Sequence, residues 1–227
     1  IAEKELAEAV GQTGSVGGTV VILEPASGKV LAMASQPDYN PNAVAKYRPS
    51  EWRNRAICDS FEPGSTFKPF LMAGVLEEGV VSRKKKINCE KGRFRVGGKT
   101  IRDHKPYENL TLDELIKFSS NIGMAKLGKA LERERFHSYL RDFGFGQQTG
   151  VDLPGEVEGT LHPPTRWFEI DLAAISFGQG VTVTPLQLAT ATAAIANGGL
   201  MMKPYLVERI VDGSGREQVV QEPNVRN

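Results

Sequence analysis

Glu62-Pro63-Gly64-Ser65-Thr66-Phe67-Lys68-Pro69 breaks the chain with Pro and Gly and then sets a hydroxyl and an amine three residues apart. In a helical segment Ser65 and Lys68 share a face, with their Cβ atoms within about 5 to 6 Å. The apolar run from Phe70 to Leu76 predicts a helix buried on most sides, so Ser65 stands at a helix start. The positive end of a helix offers free N–H groups and disfavours a protonated Lys68, which makes the neutral amine more accessible. A lysine base needs that help: bringing its pKa from about 10.4 to near 7 takes about 4 to 5 kcal/mol, which requires burial as well as field. Pro69 removes the donor for the Ser65 carbonyl in a regular helix, so a loosened first turn is expected. The other reading of Ser65 is a helix N-cap hydroxyl.

The spacing alone decides little, because Ser82-Arg83-Lys84-Lys85 repeats it. That copy opens the basic run Arg83 to Lys86 and has neither the Pro-Gly turn before it nor the apolar helix after it, which marks a solvated loop. A second polar group, Ser119-Ser120-Asn121, falls where a helix opened by the capping box Thr111 to Glu114 gives way to another, from Ile122 to Glu134. Such a trio can supply a hydroxyl that relays a proton between Lys68 and a leaving amine, and an amide that holds a peptide carbonyl. It can equally be a polar interhelical connection.

The rest of the chain frames these groups. Ala2 to Ala9 reads as a lead-in helix ending near Gly11, and residues 1–15 as a lead-in from an upstream region. Thr19 to Leu23 and Lys29 to Ala34 are β-branched runs joined by Glu24-Pro25-Ala26-Ser27-Gly28, a hairpin. Gln36 to Ser60 is Pro-, Asn- and Arg-rich without periodicity, a long surface excursion. Thr184-Pro185 is an N-cap with Pro at the first helical position, and Asn197-Gly198-Gly199 stops the helix that begins there.

Composition excludes other classes. With 227 residues, 40% of them hydrophobic, the chain can bury one substantial core. Its 28 Lys and Arg against 27 Asp and Glu give no overall bias toward nucleic acid or an anionic membrane. No stretch approaches the roughly 18 to 20 apolar residues of a bilayer span. The absence of an initiator Met at Ile1 fits an excised or processed piece with any membrane anchor upstream. Cys58 and Cys89, with three scattered His, lack metal-ligand spacing, and two unpaired core thiols are expected, with no metal or cofactor.

Ser65 with Lys68, followed by Ser119-Ser120-Asn121, are the SxxK and SxN elements of penicillin-binding proteins and serine β-lactamases. Asn54-Arg55-Ala56 through Asp59 and Phe61 through Pro69 resemble class B penicillin-binding proteins of the type that builds the division septum. The segments Gly18 to Met33, Asp38 to Pro41, Phe118 to Gly123, Gly150 to Glu156, Phe177-Gly178-Gln179-Gly180 and Thr184 to Ala189 are similar to the same family. The family's third motif, Lys-Ser/Thr-Gly, is absent: Lys99-Thr100 is followed by Ile101 and precedes the SxN element. The resemblance therefore implies residues 1–227 to be a transpeptidase domain cut short at its C-terminus, and inactive alone.

The resemblance implies an α/β penicillin-binding transpeptidase or serine β-lactamase-like fold, a mainly antiparallel sheet flanked by helices, with its C-terminal strands missing here. It implies Ser65 as nucleophile, Lys68 as base, Ser119 as proton relay, and Ser120 and Asn121 on the substrate side. Half the oxyanion hole would be the N–H of Ser65. The implied activity is peptidoglycan cross-linking at the D-Ala-D-Ala end of a stem peptide, with β-lactams acylating the same serine. The implied setting is the outer face of the cytoplasmic membrane, beside other cell-division proteins. A serine β-lactamase or β-lactam sensor, and a non-catalytic scaffold of the division machinery, are the alternatives.

Overall fold

A computed structural model describes residues 1–226. Along the chain lie α1 (Ala2–Thr13), β1 (Gly18–Leu23), β2 (Val30–Gln36), α2 (Arg55–Cys58), α3 (Lys68–Glu77), β3 (Ile87–Asn88), β4 (Arg93–Val96), β5 (Lys99–Arg102) and β6 (Asn109–Leu110). They are followed by α4 (Leu112–Lys117), α5 (Asn121–Leu131), α6 (Arg133–Asp142), α7 (Glu169–Ile175), α8 (Pro185–Ala196), β7 (Arg209–Val211) and β8 (Glu217–Val220). The strands pair antiparallel as β1 with β2, β3 with β6, β4 with β5 and β7 with β8. The chain divides into two compact units, one of residues 1–60, 147–159 and 183–227, the other of 61–146 and 160–182.

The first unit is built on the β1–β2 hairpin. Val21, Leu23 and Met33 pack with the buried Ala56, Ile57, Val151 and Leu186. Strand alternation turns Gly18 to the other face, where a Cβ would meet Leu6 and Val10 of α1. Helices thus cover both faces of the hairpin. The lead-in helix runs past Gly11 to Thr13 and stops at Gly14, whose N–H bonds the Val10 carbonyl. The excursion from Gln36 to Ser60 is a surface segment only in part, because its end folds into α2 and buries Ala56 and Ile57. Thr184 caps α8 by accepting from Gln187 N, and Pro185 opens the helix as expected.

The second unit has an aromatic heart. Phe67 and Phe70 are fully buried with their rings 5.5 Å apart, and Phe145 lies 4.8 Å from the first and 5.0 Å from the second. Burying side chains of this size contributes about 1.5 to 3 kcal/mol each, which fixes the end of α3 that carries Lys68. Alongside, α5 contributes seven buried residues. It approaches its neighbours closely, since a Cβ on Gly123 would strike Leu115 and one on Gly128 would strike Ser176. The second helix expected from Ile122 to Glu134 is in fact two: α5 ends at Leu131, Glu132 takes φ 71 and ψ 152, and α6 starts anew. Both cysteines are free, Cys89 buried and Cys58 half-buried, so only one is a core thiol. The basic run Arg83 to Lys86 is exposed throughout.

Candidate active site

Ser65 lies in a short 3-10 turn, Gly64–Phe67, that leads into α3. The turn resolves the conflict posed by Pro69. The Ser65 carbonyl takes its hydrogen bond from Lys68 N, three residues on, instead of from the missing N–H of Pro69. Pro69 itself falls in the first turn of α3, where a helix N–H has no intrahelical partner to lose. Ser65 is exposed and Lys68 is buried, 2% exposed, one turn further in.

The side chains predicted from spacing meet. Lys68 Nζ donates to Ser119 Oγ at 2.7 Å, to Ser119 O at 2.7 Å and to Asn121 Oδ1 at 2.8 Å. These three acceptors match the three protons of an ammonium. Ser119 Oγ in turn donates to Ser65 Oγ at 2.9 Å. The Ser119 hydroxyl therefore stands between amine and nucleophile, and the contact from Lys68 to Ser65 runs through it. Burial pushes the Lys68 pKa down to about 8, against a smaller upward pull from the Asp103 carboxylate.

Ser120, expected on the substrate side, is placed elsewhere. Its side chain is fully buried, its Oγ donates to Asp103 Oδ2 at 2.6 Å, and the same oxygen accepts from Gly123 N at 2.9 Å as the N-cap of α5. With its hydroxyl so occupied, Ser120 holds the turn and offers no group to a ligand. Asn121, the first residue of α5, anchors its amide by donating from Nδ2 to the Arg102 carbonyl at 3.2 Å.

The turn that presents Ser119 is strained. Ser119 has φ 55, a left-handed conformation that costs a non-glycine residue about 1 to 3 kcal/mol. Hydrogen bonds hold it there: Ser119 N to Ile116 O at 3.1 Å, Ser120 N to Leu115 O at 3.1 Å, and Lys68 on the Ser119 carbonyl. Asp103 adds the remaining tie, since its Oδ1 accepts from Ile122 N at 3.0 Å while Oδ2 takes the Ser120 proton. The sequence gives no sign of this role beyond the presence of one acid in a basic stretch.

The nucleophile's own turn is clamped from a distance. Gly64 N donates to Gly178 O at 3.0 Å, and Gly180 N donates to Glu62 Oε1 at 2.8 Å. A Cβ on Gly178, which has φ 79, would lie 2.1 Å from the Gly64 carbonyl oxygen, so only glycine fits. No cluster of His, Cys, Asp and Glu suited to a metal occurs among the described residues. Beside Asn121 a cleft of about 420 Å³ opens, lined in part by Lys99, Arg102, Asp171 and Gln179.

Comparison with known proteins bears on the family and the fold. The profile of the family described as penicillin binding protein transpeptidase domain matches residues 18–227. The chain is 37% identical over 225 residues to Stage V sporulation protein D of Bacillus subtilis, covering 98% of this chain and 35% of that protein. It is 37% identical over 223 residues to the peptidoglycan D,D-transpeptidase FtsI of Escherichia coli K12, covering 98% of this chain and 37% of that one. The chain thus spans little more than a third of the length of these relatives. Penicillin binding protein 3 of Mycobacterium tuberculosis, solved with aztreonam, superposes with a TM-score of 0.89 at 30% identity, covering 98% of this chain and 50% of that one. The transpeptidase domain of penicillin-binding protein 3 from Burkholderia pseudomallei gives 0.82 at 29% identity, covering 98% and 60%.

Proposed function

The chain belongs to the penicillin-binding protein transpeptidase domain family, and from that premise we propose that it is the acylating part of a class B, septal-type peptidoglycan D,D-transpeptidase. The observation that carries the proposal is the hydrogen-bonded line from Lys68 Nζ through Ser119 Oγ to Ser65 Oγ. The substrate is the D-Ala-D-Ala end of a stem peptide, and β-lactams acylate the same serine. The setting is the bacterial cell envelope, with an anchor and division partners supplied outside these residues; no described helix is long and apolar enough to cross a membrane.

The reaction follows from which group holds the proton. Lys68 as found donates to Ser119, and Ser119 donates to Ser65, so the line is loaded in the wrong direction for attack. Once Lys68 gives one proton to solvent, both hydrogen bonds can reverse. Ser65 then passes its proton to Ser119 Oγ, and Ser119 passes its own to the Lys68 amine. The Ser65 oxygen attacks the carbonyl of the penultimate D-Ala, and the developing oxyanion is met by the N–H of Ser65. The proton stored on Lys68 returns through Ser119 to the departing amine of the terminal D-Ala. An amine of a neighbouring stem then takes the acyl group and frees Ser65. Asn121 supplies an amide to orient the peptide. No Lys-Ser/Thr-Gly triplet occurs in these 227 residues; a second oxyanion donor on such a strand would add about 2.7 to 4 kcal/mol of transition-state stabilisation.

Intact-mass measurement after exposure to benzylpenicillin tests the reading on a polypeptide that includes that strand. One adduct is expected, lost in Ser65→Ala and kept in Ser82→Ala. Lys68→Arg should fail nearly as badly as Lys68→Ala, because a guanidinium holds its proton near neutral pH. An adduct that survives Ser65→Ala sinks the assignment.

A further inference from the structure

Lys68 is a buried cation with no carboxylate among its hydrogen-bond partners. Its three acceptors, Ser119 Oγ, Ser119 O and Asn121 Oδ1, are all neutral, and a charge buried without an opposite one is costly. The negative charge that acts on it is Asp103, whose field favours the ammonium against the effect of burial. Charges on the elements packed against α3 are engaged elsewhere. On α5, Lys126 pairs with Glu90 at 2.6 Å and Lys129 with Glu169 at 2.5 Å. On α6, Arg133 pairs with Glu134 at 2.8 Å, Arg135 with Glu78 at 3.7 Å, and His137 lies edge-on to Trp167. The turn Gly64–Phe67 carries no charged side chain, and Arg102, next to Asp103, is exposed to solvent.

The same acid grips the turn that carries those acceptors. Two consecutive residues, Arg102 and Asp103, hold three consecutive residues at the start of α5. The Arg102 carbonyl accepts from Asn121 Nδ2 at 3.2 Å, Asp103 Oδ2 accepts from Ser120 Oγ at 2.6 Å, and Asp103 Oδ1 accepts from Ile122 N at 3.0 Å. The first bond orients the Asn121 amide: with Nδ2 turned to a carbonyl, Oδ1 is left for Lys68. The other two flank Asn121, on the residue before and the residue after, and set a carboxylate at the N-terminus of an 11-residue helix, where negative charge is favoured. Asp103 is itself tied down, its N–H donating to Gly92 O at 3.2 Å, and Ser120 is backed by the buried Cys89 thiol at 3.4 Å. The carboxylate therefore cannot shift without moving the acceptors of Lys68.

We propose that Asp103 is a positioning residue of the acylation: it grips the turn so that Ser119 Oγ and Asn121 Oδ1 stay on the Lys68 amine, and it supplies the countercharge to the ammonium that forms when Lys68 takes up the Ser65 proton. The inference rests on the proposed function and adds to it the group that governs the base. Grip and charge separate under substitution. Asp103→Asn keeps an acceptor for Ile122 N and loses the charge, Ser120→Ala keeps the charge and loses one tie, and Asp103→Ala loses both.

The pH profile of acylation by benzylpenicillin tests this, on a polypeptide that includes a Lys-Ser/Thr-Gly strand. The parental midpoint is expected near 8. Asp103→Asn should move it downward, so that more than about a tenth of the variant's own plateau rate is reached at pH 7. Ser120→Ala and Glu108→Gln, which both keep Asp103, should leave the midpoint in place. Asp103→Ala should in addition lower the plateau by about tenfold to a hundredfold, the cost of a misplaced reacting group. Nuclear magnetic resonance of the Lys68 Cε carbon, identified by its loss in Lys68→Met, reads the same titration directly and should show the same downward move in Asp103→Asn. A midpoint that stays put in Asp103→Asn, or a plateau kept whole in Asp103→Ala, overturns the proposal. The two readings fail separately: an adduct with an unmoved Lys68 titration sinks the role of Asp103 and keeps the reaction, and a titration that moves in a protein that forms no adduct sinks the reaction and keeps Asp103 as the countercharge of Lys68.

Discussion

Lys68 is a buried cation whose three protons all meet oxygen, and its burial has a thermodynamic signature. An unfolded lysine titrates near 10.5 and the folded one at about 8. Below pH 8 both states hold the proton, and the native state bears the full cost of the buried charge, about 3 kcal/mol. Between 8 and 10.5 the unfolded chain binds more protons, so stability rises with pH, and above 10.5 the cost is gone. Urea unfolding across that window should show a gain in the parent chain that Lys68→Met lacks, and parallel curves would remove the shift. Acylation should climb with pH through a midpoint near 8 and level off about one pH unit above it, since only about a tenth of Lys68 is neutral at pH 7. Ser65, Lys68, Ser119 and Asn121 could be picked out from the sequence because each pair of partners is written as a short local spacing. Asp103, Glu62 and Gly178 could not, because no short pattern of residue types marks their roles: Asp103 binds Ser120 and Ile122 from outside the trio, and Gly180 reaches Glu62 across 118 residues. Ser120 departs from its expected place on the substrate side for a related reason: spacing puts it in the trio, and only its burial shows that it faces inward.

Elements with chemical punctuation were readable. Thr111 with Glu114 forms the reciprocal cap its spacing implies, Thr184 caps α8 with Pro185 opening it as read, and the Pro-Gly hairpin turn folds as expected. The β4–β5 hairpin carried a signal as well, Gly97-Gly98 between short β-type runs, with φ of 54 and 79. It is easily overlooked because its strands are rich in Arg and Lys. The break between α5 and α6 carried none. Glu132 stands at φ 71 and ψ 152, a region open almost solely to glycine, yet the residue is an ordinary helix former. Packing decides the break, with Leu131 and Phe136 both fully buried on either side of it. Glu132→Gly should therefore stabilise the protein by about 1 kcal/mol or more, because it releases strain and keeps both backbone hydrogen bonds of the residue. A lower urea midpoint for the variant would show that the conformation is not strained.

At the scale of the whole chain, what the sequence could not give was its division. One core is expected from composition, and there are two compact units, each assembled from separate stretches of chain: 1–60, 147–159 and 183–227 in one, 61–146 and 160–182 in the other. Hydrophobic pattern marks which residues are buried and says nothing of which core receives them. The division into separate stretches has an entropic consequence. With the first unit unfolded, the second must close only the short loop 147–159. With the second unfolded, the first must close both 61–146 and 160–182, and closure costs about (3/2)RT ln n for each loop of n residues. The difference is about 4 kcal/mol against the first unit. The first unit should therefore depend on the second more than the reverse, and should lose its structure no later in a denaturant series. Each unit holds one of the chain's two tryptophans, Trp52 in the first and Trp167 in the second. Trp167→Phe leaves a reporter on the first unit and Trp52→Phe leaves one on the second, where the native Trp167 is buried with its indole N–H bonded to the His162 carbonyl at 2.9 Å. Fluorescence in guanidinium should place the Trp52 midpoint at or below that of Trp167, after correction for the stability change each substitution brings. A Trp52 transition that persists at denaturant concentrations where Trp167 is already exposed would mean that the first unit stands without the second and that loop closure does not set their order.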